Sequence, residues 1–159
     1  MYFIFLKNFW EYLYDFSDFL CTFTTMLDYP VKILLAFAKT FDEEGGEEFF
    51  KWLLENGYPE MAALSSAIRG SREAFGWLMK NKFPHFAAFD EAIDRSPKAY
   101  AWLRKYDFDF LIVLADAVNE KSEAIEWLSR NKLFIFLDIA RRIREYRNRQ
   151  RFDYHKLHF

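Results

Sequence analysis

Apolar and polar positions along this chain follow a helical period, and the pattern itself recurs. Trp52, Trp77, Trp102 and Trp127 stand 25 residues apart, and each is followed by a leucine: Leu53, Leu78, Leu103 and Leu128. Six residues after each Trp comes Tyr58, Phe83, Phe108 or Leu133, followed by Pro59, Pro84, Asp109 or Phe134. Proline suits a first helical turn, because its missing N–H would be unsatisfied there anyway and its φ is already helical, so a second helix is expected to start at this register. The pairs Ala67-Ile68, Ala92-Ile93 and Ala117-Val118 recur inside it. Ser71, Ser96 and Ser122 fall at or next to the start of the following helix, where a hydroxyl caps free N–H groups. Pro97 marks the same boundary.

Each unit therefore reads as two helices of about ten residues, each spanning about 15 Å and too short to be stable alone in water. Stacking on neighbours buries their apolar faces. An imperfect earlier unit shows in Tyr29-Pro30 and Ala38. It reaches Trp52 22 residues after Pro30, against 18 between Pro59 and Trp77, and the extra four fit the acidic loop Asp42-Glu43-Glu44-Gly45-Gly46. The expected fold is all-α: an elongated, right-handed solenoid of about five stacked helical hairpins with a 25-residue period, in one domain. Its parts are an aromatic N-terminal capping helix in 1-28, repeats in 29-132, and an Arg-rich C-terminal helix and tail in 133-159. The four indoles are expected to form an interior spine, not a stacking platform for bases or sugars.

The run Glu48-Phe49-Phe50-Lys51-Trp52-Leu53-Leu54-Glu55-Asn56-Gly57-Tyr58-Pro59, with Ala62, Ala63 and Ala67 after it, resembles short-period ankyrin-type repeats, whose second helix ends in Trp-Leu, Asn-Gly and Pro. Asn81-Lys82-Phe83-Pro84 follows the same form, and the likeness covers roughly residues 47–140. The Thr-Pro-Leu-His start of that family is absent. The resemblance implies a protein-interaction scaffold whose ligand lies on a concave face lined by the first helix of each repeat. Two registers vary on that face: Ser66, Glu91, Asp116 and Arg141, and Arg69, Asp94, Asn119 and Arg144. Glu91, Asp94, Asp116 and Asn119 are the candidate partner contacts, because charge that changes sign from repeat to repeat orients a partner.

The two ends differ from the repeats. Residues 2–22 place Phe3, Leu6, Trp10, Leu13 and Leu20 at helical spacing, with a narrow polar stripe of Lys7, Glu11, Asp15 and Asp18. A helix apolar over most of its circumference must be covered on more than one side. Capping of the first hairpin, self-association and docking to a partner are the open readings, and the acidic stripe disfavours an anionic bilayer. From Leu133 to about Arg149 one longer helix is expected, apolar at Ile135, Phe136, Ile139 and Ile143. It is basic at Arg141, Arg142, Arg144, Arg147 and Arg149, the candidate nucleic-acid or phosphate contacts, since a guanidinium binds phosphate bidentately. The same cations also suit a helix C-terminus on an acidic body. Residues 139–159 hold seven cations against two acids, a local +5, so the other 138 residues carry −7 of the net −2.

Composition narrows the class. The 159 residues fit one domain, and 52% apolar content with 29% charged, five Gly and four Pro excludes a disordered chain. Cys21 is the single cysteine, so no intramolecular disulfide exists and a reducing, cytoplasmic setting is expected. No apolar run has the length of a signal region or a membrane span. His155 and His158 lack the further ligands of a zinc site, and His85, level with Glu60 and Phe110, reads as a variable surface position. Gly45-Gly46 lacks the Gly-Lys-Ser/Thr of a phosphate loop, and Asp42, Glu43, Glu44, Glu47 and Glu48 lack the calcium-loop alternation. No catalytic residue, metal or cofactor is assigned. A non-catalytic scaffold for a protein partner is the expected function, with nucleic-acid or phosphate binding through the arginines as the alternative.

Overall fold

The computed structural model describes residues 25–156, with side chains as far as Arg151. After a 3-10 turn at Met26–Asp28 come α1 (Val31–Lys39), α2 (Gly46–Glu55), α3 (Pro59–Ile68), α4 (Arg72–Lys80), α5 (Pro84–Ile93), α6 (Pro97–Lys105), α7 (Asp109–Val118), α8 (Ser122–Arg130) and α9 (Phe134–Lys156). No strand occurs among the described residues. Of the expected N-terminal capping helix only 25–28 are described, and the rest of it, with Cys21, lies outside the described residues.

The turns explain the spacing in the sequence. Each even-numbered helix ends in a left-handed residue, Gly57, Lys82, Asp107 or Lys132, at φ 82°, 70°, 60° and 58°. Past that residue the amides of Tyr58, Phe83, Phe108 and Leu133 donate to the carbonyls of Leu53, Leu78, Leu103 and Leu128, all at 2.9 Å. This is the Schellman closure, in which the apolar residue after the turn packs on the one whose carbonyl it closes. Asn56, Asn81 and Asn131 add side-chain amide bonds of 2.8 Å to the carbonyls of Trp52, Trp77 and Trp127. The odd helices close alike: Ser71, Ser96 and Lys121 donate to the carbonyls of Ser66, Glu91 and Asp116, past Gly70, Arg95 and Glu120 in the left-handed region. Both sets of left-handed residues stand 25 apart. Ser71 and Ser96 cap α4 and α6 through the amides of Ala74 and Ala99. Ser122 instead begins α8, which Lys121 precedes.

The interior spine is leucine, not indole. Leu53, Leu78, Leu103 and Leu128 are fully buried. Of the four tryptophans among the described residues only Trp102 is buried; Trp52 and Trp77 are half-buried and Trp127 is 45% exposed. Trp77 and Trp102 stack on the aromatic residue six positions on, Phe83 and Phe108, with interplanar angles of 9° and 6°. At that position Trp127 has Leu133, which offers no ring to stack on.

Packing also departs from a simple elongated stack. Each of α1, α3, α5 and α7 packs against the next odd helix, and α9 packs against both α7 and α1, so the odd helices form a closed circuit of contacts. The even helices each lie between two odd ones. Such enclosure buries α5 on nearly every side, from Pro84 through Phe89 and again at Ala92 and Ile93. His85 is therefore a core residue and not a surface one. Its ring is fully buried, stacked 4.9 Å from Phe108 at 8° and 4.3 Å from Phe86.

Candidate functional site

The first half of α9 buries Phe136, Ile139, Ala140 and Ile143. Its second half crosses the C-terminal ends of the other odd helices, where unpaired carbonyls concentrate partial negative charge. Arg144 donates to the carbonyl of Ala117 at the end of α7 (3.3 Å), Arg147 to that of Ile93 at the end of α5 (2.9 Å), and Arg149 to that of Phe41 just beyond α1 (2.7 Å). Acids beside those carbonyls complete the seam. Arg142 pairs with Asp42 and Asp138, Arg144 with Glu120, Arg147 with Asp94, and Arg149 with Glu43. Arg141, on the outer side, pairs with Asp138 and Glu145 at 2.6 and 2.8 Å. At α3 the arrangement is reversed: Arg69 at its C-cap lies over the ring of Tyr146, 5.6 Å from its centre.

All five arginines assigned to phosphate thus engage groups of the same chain. The register singled out for partner contact lies on the same rim and ties adjacent hairpins together. Glu91 pairs with Arg72 of α4 at 3.5 Å. Asp116 accepts from the Tyr100 hydroxyl at 2.7 Å and pairs with Lys121 at 2.8 Å. Burial, then the Asp116 bond, raises the Tyr100 phenol above its ordinary value. Asn119 donates to the carbonyls of Ile93 and Ala115 and accepts from Arg95.

Two clefts open along this rim. One, of about 250 Å³, lies between the α3–α4 turn and α5, lined by Ser71, Arg72, Phe75, Asp90, Glu91 and Asp94 among others. It brings Glu91 and Asp94 together. It also contains Asp90, which the sequence pattern did not single out. Burial, followed by repulsion from Asp94 and Glu91, pushes the Asp90 carboxyl up to about 7, against the pull of Arg147 and Arg72. The available signal was positional: Ser65, Ala115 and Ala140 hold the same register, all buried and small, and an acid there has to be desolvated. The second, more open cleft of about 620 Å³ lies at the seam between the α1–α2 loop and α9, with Asp42, Glu43, Arg69, Tyr146 and Arg149 in its lining.

Among the described residues no group of three or more His, Cys, Asp or Glu is placed to hold a metal ion. No helix among them is long and apolar enough to cross a membrane. The side chains of His155 and His158 lie outside the described residues. No protein-family model, curated protein or solved structure matches the chain.

Proposed function

We propose that this chain is a non-catalytic protein-binding scaffold, an ankyrin-like solenoid of 25-residue hairpins, whose partner contacts the rim carrying Glu91, Asp94, Asp116 and Asn119. The observation that supports this reading is a constant interior beneath a changing rim. Leu53, Leu78, Leu103 and Leu128 hold one buried column, while the rim reads Ser66, Glu91, Asp116, Arg141 in one register and Arg69, Asp94, Asn119, Arg144 in the other. A repeated frame that preserves its packing and varies its outward charge is suited to recognising a surface. The cleft at Phe75, Glu91 and Asp94 gives that rim a concave place for a cationic side chain of the partner.

Phosphate or nucleic-acid binding through Arg141, Arg142, Arg144, Arg147 and Arg149 is the alternative. It requires guanidiniums that now serve carboxylates and helix-end carbonyls to change partners. Anisotropy of labelled generic DNA and RNA, titrated with salt from low ionic strength, separates the two readings. The scaffold reading predicts no binding. Binding whose salt slope flattens when Arg141, Arg144 and Arg147 are replaced would establish the alternative.

A further inference from the structure

Helix α5 ends in three acids, Asp90, Glu91 and its C-cap Asp94, where the partial negative charge of a helix C-terminus disfavours them. The chain supplies two guanidiniums to them: Arg72 pairs with Glu91 and Arg147 with Asp94. Asp90 is left over. Its carboxyl lines the cleft between the α3–α4 turn and α5, is largely enclosed, and makes no hydrogen bond or ion pair among the described residues. Packing does not call for an acid at this register, since α3, α7 and α9 hold Ser65, Ala115 and Ala140 there. A carboxylate withdrawn from water without a counter-charge is destabilising, so the partner it lacks is a cation. The remaining walls accept one: Ala67, Ile68 and Gly70 at the α3 end are uncharged, and α4 contributes the ring of Phe75.

We propose that this cleft receives one arginine side chain of the partner, with its guanidinium on the carboxylates of Asp90 and Glu91 and its stem along Phe75. The inference rests on the protein-binding reading above and names the group that the rim recognises. Size favours a single side chain, because about 250 Å³ falls below the roughly 300–1,000 Å³ of small-molecule pockets. The three carboxyls are not grouped to hold a metal ion. The chain's own Arg72 shows the arrangement a guanidinium takes here, 5.5 Å from the centre of the Phe75 ring and 3.5 Å from Glu91. Arg72 is 61% exposed, and so open an ion pair gives way at little cost. Asp90 then meets the incoming cation. Burial, then Asp94 and Glu91, push its carboxyl up to about 7, against Arg147 of α9 and Arg72 of α4. Among the described residues no other charged group lines the cleft. A bound cation favours the ionised carboxylate, so entry of the arginine releases the Asp90 proton.

Titration of the full-length chain with N-acetyl-arginine amide, followed through the side-chain carboxyl carbon signals of Asp90 and Glu91, tests this. Both signals are expected to move. Because only ionised Asp90 accepts the cation, affinity should be about tenfold tighter at pH 8 than at pH 6. Asp90→Asn, which keeps the size and removes the charge, should weaken binding and abolish that dependence. Arg72→Gln, which withdraws the chain's own guanidinium, should tighten binding at pH 8, and it serves where Asp90→Asn loses the fold. Carboxyl signals that do not move would overturn the proposal, as would equal affinity at the two pH values or N-acetyl-lysine amide bound as tightly. The rim reading fails separately. A partner captured by Asp90→Asn as by the unaltered chain, and lost from Glu91→Arg, Asp94→Arg, Asp116→Arg, would overturn the arginine site and leave the rim. The probe bound as expected, with no protein captured by the unaltered chain, would support the site and remove the scaffold.

Discussion

Arg147, near the end of the chain, donates a 2.9 Å hydrogen bond to the carbonyl of Ile93, the last residue of α5, 54 positions earlier in sequence. The contact joins the last helix to the middle of the array, and its neighbours Arg144 and Arg149 do the same at α7 and beyond α1. A charged donor on a partly buried carbonyl contributes about 1.5–3 kcal/mol. Arg147→Met is therefore expected to lower unfolding free energy by about that amount, measured by urea denaturation. Asp94→Asn should cost much less, about 0–1 kcal/mol, because its carboxylate is 63% exposed.

Leu103→Ala and Trp127→Ala distinguish the two residues of the recurring pair. The leucine is fully buried, so its truncation should cost about 2–5 kcal/mol, while the 45% exposed indole should cost clearly less by the same denaturation assay. Equal losses would restore the indole to the spine.

How much of this was legible beforehand differs residue by residue. The hairpin boundaries at Pro59, Pro84, Asp109 and Phe134 were readable because the turn that precedes them fixes side chains locally: a left-handed residue, then an apolar one closing onto a leucine carbonyl. Which member of Trp-Leu points inward was not, since adjacent helical residues differ by about 100° and both are apolar. His85 looked variable beside Glu60 and Phe110, and only the convergence of Phe86 and Phe108 makes its site interior. The arginine seam was legible as charge but not as contact, because Arg142 and Asp42 are 100 residues apart and meet only when α9 reaches α1.

The left-handed turn residues offer a stabilising change. Lys82 and Lys132 carry φ of 70° and 58° in the register that Gly57 occupies with no Cβ. Lys82→Gly and Lys132→Gly are each expected to raise stability by about 0.5–1 kcal/mol through relief of that conformation. Gly57→Ala should lower it. Thermal denaturation of the three single variants checks the sign.

Asp90 sets a pH dependence. Its folded carboxyl, pushed up to about 7 from 3.8 by burial and then by Asp94 and Glu91, holds its proton more tightly than the unfolded chain does. The contribution to stability is whole below about pH 4, falls as pH rises, and is gone above about pH 7, at up to about 1.4 kcal/mol per pH unit in between. Asp90→Asn should flatten this part of the profile and raise stability at pH 8. Urea midpoints from pH 5 to pH 8 test it, and a profile unchanged by the substitution would remove Asp90 from the account.

The most direct measurement is quantitative capture from an extract of the native source, comparing the full-length protein with a Glu91→Arg, Asp94→Arg, Asp116→Arg variant shown by circular dichroism to be folded. The scaffold reading predicts a protein retained by the unaltered chain and lost from the variant, retained again when the capture is repeated after nuclease treatment. The same protein held equally by both would contradict a partner site on this rim.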